Sequence, residues 1–394
     1  MMSASFELPV DVLRARQNVK WARYGADVLP AWVAEMDFSI AHPIRRVIEH
    51  AVADQDFGYP ERRGGDAGAA LADAFARRMQ LRFGWAAEAA LVQPITDLVQ
   101  GTYAAIMAFS DPGDGVLLQT PAYPPFYQSI AETRRALVAL PLPEAGRKQD
   151  FTALAQAGDA RTRVLLLCNP QNPTGHVFSR AELEEIGRIA IARDLVIVSD
   201  EIHADLVYDG AQHIPIASLS PEIAARTVTM TSATKSFNIP GLRCGVMHFG
   251  TAALRERFHA RLPGHLLGAP GIIGIDATIA AWTHGQPWLD EVLAHLHANR
   301  ALVDGFIAAE LPGITWQPPA ATYLGWLDCS GLRLPTGAFD FFHERARVAF
   351  SAGEVFDPAR PHFVRLNFAT STRILEQLLG RVKDAVRRAN ATPG

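Results

Sequence analysis

Between about residues 90 and 250, short apolar runs alternate with helical patterns, and this alternation constrains the fold more than any other feature of the sequence. Helical patterns cover residues 102–110 and 180–193. The apolar runs predict strands at residues 116–119 (VLLQ), 164–167 (VLLL), 195–198 (LVIV) and 228–230 (VTM). Such alternation favours an α/β fold, with a mostly parallel sheet sandwiched between helices.

Polar residues follow three of these predicted strands. Residues 169–172 (NPQN) follow the second strand, residues 200–203 (DEIH) follow the third, and Lys235 follows the fourth. In open parallel sheets, ligands bind beyond the carboxyl ends of the strands. We therefore expect a functional site at this edge of the sheet.

Lys235 lies in the segment TMTSATKSFNIPGLRCG, residues 229–245, close to Ser232 and Thr234 and eight residues before Arg243. A lysine that forms an imine needs small neighbours, because an aldehyde has to reach its nitrogen. Hydroxyl groups and an arginine can bind a phosphate. The combination suits pyridoxal 5′-phosphate (PLP), an aldehyde that carries a phosphate group. A solvated lysine on a surface loop is the alternative that this segment alone leaves open.

The regions on either side of the predicted sheet suggest a second domain. The first forty residues are irregular and rich in aromatic residues, and helical patterns follow at residues 43–52 and 69–83. A long helical pattern covers residues 288–310, and strand patterns lie at 321–328 and 362–368. We predict an N-terminal arm with part of a small domain at 1–42, a large PLP-binding domain at 43–285 and a small α+β domain at 286–394.

The amino-acid composition bears on the binding partners, the metal sites and the cellular location that we expect. The chain has 394 residues, of which 49% are hydrophobic, and a net charge of −4, so a nucleic-acid or anionic-membrane partner is not expected. The three cysteines are far apart and form neither a metal-ligand spacing nor a disulfide set. The N-terminal residues lack a signal-peptide pattern, and no apolar run reaches membrane-spanning length. We expect a cytoplasmic protein without a metal site.

Several motifs, in this order and spacing, resemble fold-type I PLP enzymes of the class I/II aminotransferase group. They are NPQNPTG at 169–175, SDEIHAD at 199–205, the Lys235 segment and RLNF at 365–368. Three further motifs are similar to the MalY/PatB-type branch, the cystathionine β-lyases and related C–S lyases. These are DVLPAWVAEMDF at 27–38, PAYPPF at 121–126 and SDEIHADLV at 199–207. The resemblance runs from about residue 5 to about residue 385.

The resemblance implies catalytic roles for several of these residues. Lys235 is expected to form the imine with PLP and to act as the base at the substrate α-carbon, and Asp200 to keep the ring nitrogen protonated. Asn172 would donate to the cofactor phenolic oxygen, His203 would contact the cofactor and Tyr123 would stack on its ring. Simpler roles remain open for four of them: a helix N-cap for Asp200, a turn for Asn172 and core packing for His203 and Tyr123.

The resemblance also implies a phosphate site. It is expected to combine Ser232 and Arg243 with the backbone amides of Leu98 and Val99 at a helix N-terminus, and with Tyr59 of a second subunit. Two residues depart from the lyase branch, which usually has glycine at the position of Asp97 and commonly lacks Arg243. A carboxylate beside a phosphate is repulsive unless it caps the helix and points away.

For the substrate, the resemblance assigns Arg365 to the α-carboxylate, assisted by the Ala34 amide and Asn172. A structural ion pair is the alternative for Arg365. The expected reaction is β-elimination from L-cystathionine or a related S-substituted cysteine, giving pyruvate, ammonia and a thiol. A PLP-dependent amino-acid aminotransferase remains the alternative, because the same residues serve both reactions. A homodimer with sites at the subunit interface is implied as well.

Overall fold

The computed structural model describes residues 6–62, 65–143, 149–208, 210–332 and 334–391. The chain forms two compact units. The larger unit comprises Ile40–Gln171 and Val177–Leu289, and the smaller one comprises the described parts of Met1–Ser39, Asn172–His176 and Asp290–Gly394.

A seven-stranded sheet forms the centre of the larger unit. Its strands are β1 (Val92–Ile95), β2 (Gly115–Thr120), β3 (Ala136–Pro141), β4 (Thr162–Cys168), β5 (Val196–Asp200), β6 (Thr227–Thr231) and β7 (Gly245–Phe249). The spatial order is β1-β7-β6-β5-β4-β2-β3. Strand β7 runs antiparallel to β1 and β6, and the neighbouring pairs from β6 to β3 are parallel. The predicted mostly parallel sheet is confirmed.

The central strands β4 and β5 are largely apolar because both faces of the sheet are covered there. Every residue of β5 is buried. Val164 and Val198 belong to one hydrophobic cluster, whereas Leu165 and Ile197 belong to another. Neighbouring residues of a strand therefore supply two separate cores.

Helices cover this sheet. Their bounds are His42–Asp54, Ala67–Phe83, Leu98–Phe109, Pro124–Glu132, Phe151–Gln156, Arg180–Ala192, Pro221–Ala224, Ala233–Ser236, Ala252–Arg261 and Ile272–His284, with 3₁₀ turns at Ala89–Leu91, Ile216–Ser218, Pro240–Leu242 and Gly264–Leu266. Glu61–Arg62 and Gly65–Asp66 form a short antiparallel pair. The helix predicted at residues 102–110 begins four residues earlier, because the Asp97 side chain accepts a hydrogen bond from the Gln100 amide and caps it there.

The smaller unit contains a four-stranded antiparallel sheet with the order Thr315–Trp316, Leu324–Asp328, Phe363–Asn367, Ser351–Ala352. The strand predicted from residue 321 begins only at Leu324, because Thr322 has a left-handed φ of 72° that a strand does not accept. Leu29–Pro30 pairs in parallel with Val348–Ala349. The remaining elements are the helices Val10–Ala15, Val19–Ala22, Ala338–Phe341 and Thr372–Ala391, the π-helix Phe342–Ala346 and the 3₁₀ turn Gly353–Val355.

The longest helix, Gln286–Glu310, passes from the larger unit into the smaller one along the chain. None of the helices within the described ranges has the length and apolar character needed to span a membrane.

Candidate active site

The carboxyl ends of β5 and β6 bring Asp200 and Lys235 together. Asp200 is the last residue of β5, only 6% exposed, and lies in register between Cys168 of β4 and Met230 of β6. Lys235 is half-buried in the short helix that follows β6 directly. The sequence predicted this meeting from strand ends alone, and the sheet order supplies the reason, because β5 and β6 are neighbours.

The charge environment of Asp200 is unusual. Burial raises the pKa of its carboxyl group to about 7, and the negative charge of Glu201 acts in the same direction. A hydrogen bond from the Ile202 amide and the positive charge of Lys235 oppose this rise. The hydrogen bond makes Asp200 the start of a turn, not the helix N-cap that the sequence left open. Burial therefore strengthens proton binding by Asp200, and a pKa perturbed in this way is typical of residues at functional sites.

The two residues that depart from the lyase branch contact each other. Asp97 accepts the Gln100 amide through Oδ1 at 2.8 Å and pairs through Oδ2 with the Arg243 guanidinium. One oxygen of the carboxylate therefore caps the helix, and the other faces an arginine. Because first-turn amides have no acceptor within their helix, those of Leu98 and Val99 are directed out of its N-terminus, where an anion can bind.

Ser232 is more firmly held than the sequence indicated. Its hydroxyl oxygen accepts the Thr234 amide at 3.0 Å and caps the Lys235 helix, and its hydroxyl group donates to the Cys244 carbonyl at 2.6 Å. Donating to a phosphate requires the hydroxyl hydrogen to leave Cys244.

Tyr123, His203 and Tyr59 differ in burial. Tyr123 is half-buried at the start of a helix, with its ring edge-on to Phe126 at 5.7 Å between centroids, and it packs against a core cluster. His203 is 2% exposed, and Tyr59 is 91% exposed. The exposure of Tyr59 leaves its ring available to another molecule.

In the smaller unit, Arg365 and Asn172 are joined by a hydrogen bond. Nη1 of Arg365 donates to Oδ1 of Asn172 at 2.9 Å, and Nη2 donates to the Trp32 carbonyl at 2.8 Å and to Ser351 Oγ at 3.2 Å. The guanidinium carbon lies 4.6 Å from the ring centre of Phe356. Arg365 is 5% exposed, and these hydrogen bonds hold its guanidinium group in one place.

Ala34 lies in a chain segment that is fixed on both sides. Its carbonyl accepts the Tyr323 hydroxyl at 3.0 Å, and Asn367 Nδ2 donates to the carbonyls of Val33 at 2.6 Å and Glu35 at 2.7 Å. Burial raises the pKa of Tyr323 well above its usual range, so this hydroxyl remains a donor. The Ala34 amide is therefore held in a defined place.

Sequence reasoning missed the support behind Lys235. Asp205 accepts two hydrogen bonds from buried Arg78, at 2.7 and 3.2 Å, and a weaker one from Ser236 at 3.4 Å. The Arg78 guanidinium lies 5.6 Å from the ring centre of Phe237. A buried ion pair therefore contacts both residues that follow Lys235. Arg78 lies on a predicted helix far away in the sequence, so local spacing could not reveal this pairing.

Comparison with known proteins identifies the family. Residues 37–382 match the family model described as aminotransferase class I and II. The chain belongs to this family. Cystathionine beta-lyase PatB from Bacillus subtilis is 33% identical, over 94% of this chain and 97% of the relative. The cystathionine beta-lyase of Corynebacterium glutamicum is 34% identical, over 95% and 98%.

Within the family, solved structures agree with the fold. Cystalysin from Treponema denticola, whose structure contains pyridoxal 5′-phosphate, superimposes with a TM-score of 0.90 at 26% identity and covers 99% of this chain and 100% of its own. The resemblance to the PLP enzymes of this family and to their MalY/PatB-type branch is confirmed. The described residues include no group of His, Cys, Asp and Glu side chains suited to a metal ion.

Proposed function

We propose that this protein is a PLP-dependent carbon–sulfur β-lyase that converts L-cystathionine or a related S-substituted cysteine, with water, to pyruvate, ammonia and a thiol. The observation that carries the proposal is the placement of half-buried Lys235 directly after β6 and of buried Asp200 at the end of the neighbouring strand β5, at the same edge of the sheet. The full-length similarity to two cystathionine β-lyases supports it.

The chemistry divides between the cofactor and the chain. When bound, PLP supplies an electron sink for the electrons left at the substrate α-carbon. Lys235 removes the proton from that carbon, a task that needs a neutral amine and is favoured by partial burial. Asp200 would hold a proton at the ring nitrogen, Tyr123 would pack against the ring, and His203 would contact the cofactor from its buried position.

The phosphate group is assigned to the N-terminus of the Leu98–Phe109 helix. The amides of Leu98 and Val99 and the helix dipole favour an anion there. Arg243 neutralises Asp97, so the carboxylate does not present an uncompensated negative charge beside the phosphate. Ser232 joins these phosphate-binding residues once its hydroxyl group turns away from the Cys244 carbonyl.

Recognition of the substrate carboxylate is assigned to Arg365, with the Ala34 amide. Phe356 and three oxygen acceptors orient the guanidinium in advance, which lowers the entropy lost on binding. Because Asn172 uses Oδ1 to accept Arg365, its amide NH₂ is the group left to donate to the cofactor phenolic oxygen.

The assembly proposed is a homodimer in the cytoplasm. A tyrosine ring that is 91% exposed is poorly placed to serve its own subunit but suited to reach the phosphate of a second one. Tyr59 therefore supports a dimer in which each site is completed by its partner. No nucleic-acid partner is proposed, since the net charge is −4.

Incubation with L-cystathionine and PLP, without any added keto acid, tests this function. The expected result is pyruvate formation that falls more than about a hundredfold in Lys235→Ala, because general base catalysis is lost. Lys383→Ala, which changes a lysine of the C-terminal helix, is the matched control and should retain activity.

An aminotransferase is the second candidate, and Arg243 favours it because the lyase branch commonly lacks that residue. Turnover that strictly requires a keto-acid acceptor, with no pyruvate from cystathionine alone, would refute the lyase assignment in favour of this alternative.

A further inference from the structure

Glu201 is a fully buried carboxylate that the proposed chemistry does not use. It follows Asp200 directly and is 2% exposed. A buried carboxylate destabilises a protein unless its oxygens are hydrogen-bonded. Oε1 of Glu201 accepts the Ser199 hydroxyl at 2.9 Å and the Ile216 amide at 3.3 Å, and Oε2 lies 2.9 Å from Nε2 of His213. Three partners therefore fix the side chain in one place.

Hydrogen bonds fix the backbone of Glu201 as well as its side chain. Its amide donates to the Met230 carbonyl at 2.8 Å, and its carbonyl accepts the Thr231 hydroxyl at 3.2 Å. Both partners lie at the end of β6, the strand that leads to Lys235. Because Asp200 is the preceding residue, these contacts fix its backbone relative to the strand that delivers the lysine.

His213 completes the network from a loop outside the sheet. The ring is 3% exposed and lies edge-on to Phe83 at 5.1 Å between centroids. Its Nδ1 has no hydrogen-bond partner among the described residues. A hydrogen on Nδ1 would be buried without an acceptor, whereas Nε2 is placed to donate its hydrogen to Glu201.

The charges that act on Asp200 come from two neighbouring elements. Lys235, after β6, favours the ionised form of Asp200, and Glu201, after β5, disfavours it. Glu201 therefore favours a proton on Asp200 or on a base bound beside it. A buried charge so close to a site acts through low-dielectric surroundings, where screening is weak.

We propose that Glu201, held by Ser199, His213 and the Ile216 amide, is a positioning residue that fixes Asp200 and strengthens proton binding between Asp200 and the cofactor ring nitrogen. The inference rests on the proposed role of Asp200. Glu201 acts through Asp200, so its role does not require contact with the cofactor or the substrate.

The test is a pH titration of the protein loaded with PLP labelled with ¹⁵N at the ring nitrogen, followed by the ¹⁵N chemical shift. In Glu201→Gln, the pH at which the ring nitrogen loses its proton should fall by about one unit, the size expected for removing one nearby buried charge. The substitution keeps the shape of the side chain. The amide oxygen of the new side chain can still accept Nε2–H of His213, and its NH₂ group can donate to the Ser199 hydroxyl oxygen.

Two variants of His213 test the same proposal if Glu201→Gln fails to fold. His213→Leu should shift the titration in the same direction, because a buried carboxylate that loses its donor favours its neutral form. His213→Gln retains a donor and should restore the wild-type midpoint. His248→Phe is the matched control, since His248 is also buried in the larger unit but does not contact Glu201, and its midpoint should not move.

Unchanged midpoints in Glu201→Gln and in His213→Leu, with cofactor bound, would overturn this inference and leave the proposed function intact. A wild-type protein that binds no PLP would overturn both. Equal shifts in His213→Leu and His213→Gln would also overturn it, because the role requires a hydrogen-bond donor at that position.

Discussion

His248 gives the sharpest stability test, because its ring is buried in an apolar cluster. It is 3% exposed, and its centroid lies 4.8 Å from the Trp85 ring and 5.8 Å from the Phe75 ring. Neither ring nitrogen has a hydrogen-bond partner of normal geometry among the described residues. Burial lowers the pKa of His248 from 6.5 to about 4, and the Glu88 backbone offsets only part of this effect. We expect the protonated ring to destabilise the fold.

The magnitude follows from the difference in pKa between the folded and unfolded states. A folded-state pKa below the unfolded value means that the unfolded chain binds the proton more tightly, so stability is present above pH 6.5 and is lost as the pH falls toward 4. One pKa unit corresponds to about 1.4 kcal/mol, so the whole effect is about 3 kcal/mol. About 2 kcal/mol of this should be lost between pH 7 and pH 5.

Asp200 acts in the opposite direction in the cofactor-free protein. Because burial raises its pKa from 3.8 to about 7, its contribution to stability is present below pH 3.8 and is lost as the pH rises through 7. The pH profile of the wild type alone is therefore not diagnostic. The difference between wild type and His248→Phe cancels the Asp200 contribution and isolates the histidine.

Urea denaturation of the cofactor-free proteins at pH 7 and pH 5, followed by tryptophan fluorescence, makes the measurement. The free energy of unfolding of wild type should fall by about 2 kcal/mol relative to His248→Phe over this interval. His265→Gln, at an exposed position, is the control and should remain parallel to wild type. Parallel profiles for wild type and His248→Phe would refute the argument from burial.

Three further outcomes follow from the structure. Lys20→Met should destabilise the fold by about 3–5 kcal/mol in urea denaturation, because Lys20 Nζ lies 2.8 Å from Asp37 Oδ2 and its loss leaves this carboxylate buried without its ion-pair partner. A loss of stability below about 1 kcal/mol would contradict this expectation. Gly250→Ala should cost about 3 kcal/mol or more, since a Cβ would lie 1.8 Å from the Ala224 carbonyl oxygen, whereas Gly241→Ala meets nothing within 4 Å among the described residues and should be tolerated. PLP at a hundred times its dissociation constant should raise the free energy of unfolding by about 2.7 kcal/mol, and an unchanged melting temperature would count against a cofactor site.

The sequence by itself determined the fold class and the position of the chemistry along the chain. Apolar runs such as the one in β5 are buried on both faces, and a strand of that kind is recognisable without its neighbours. Lys235 and Asp200 were identified because each follows such a strand, and parallel strands deliver their carboxyl ends to one edge. The local sequence pattern was sufficient to predict features that depend only on residues close together in the sequence.

Only the tertiary structure decided which polar groups pair. Asp97 and Arg243 are 146 residues apart and looked like two unrelated departures, yet they form one ion pair. The contact between Glu201 and His213 likewise depends on a loop that returns to the end of β5. Pairing of this kind depends on distances between segments that are remote in sequence, and on burial, which sets how strongly charges interact. The order of residues along the chain gives neither these distances nor the burial.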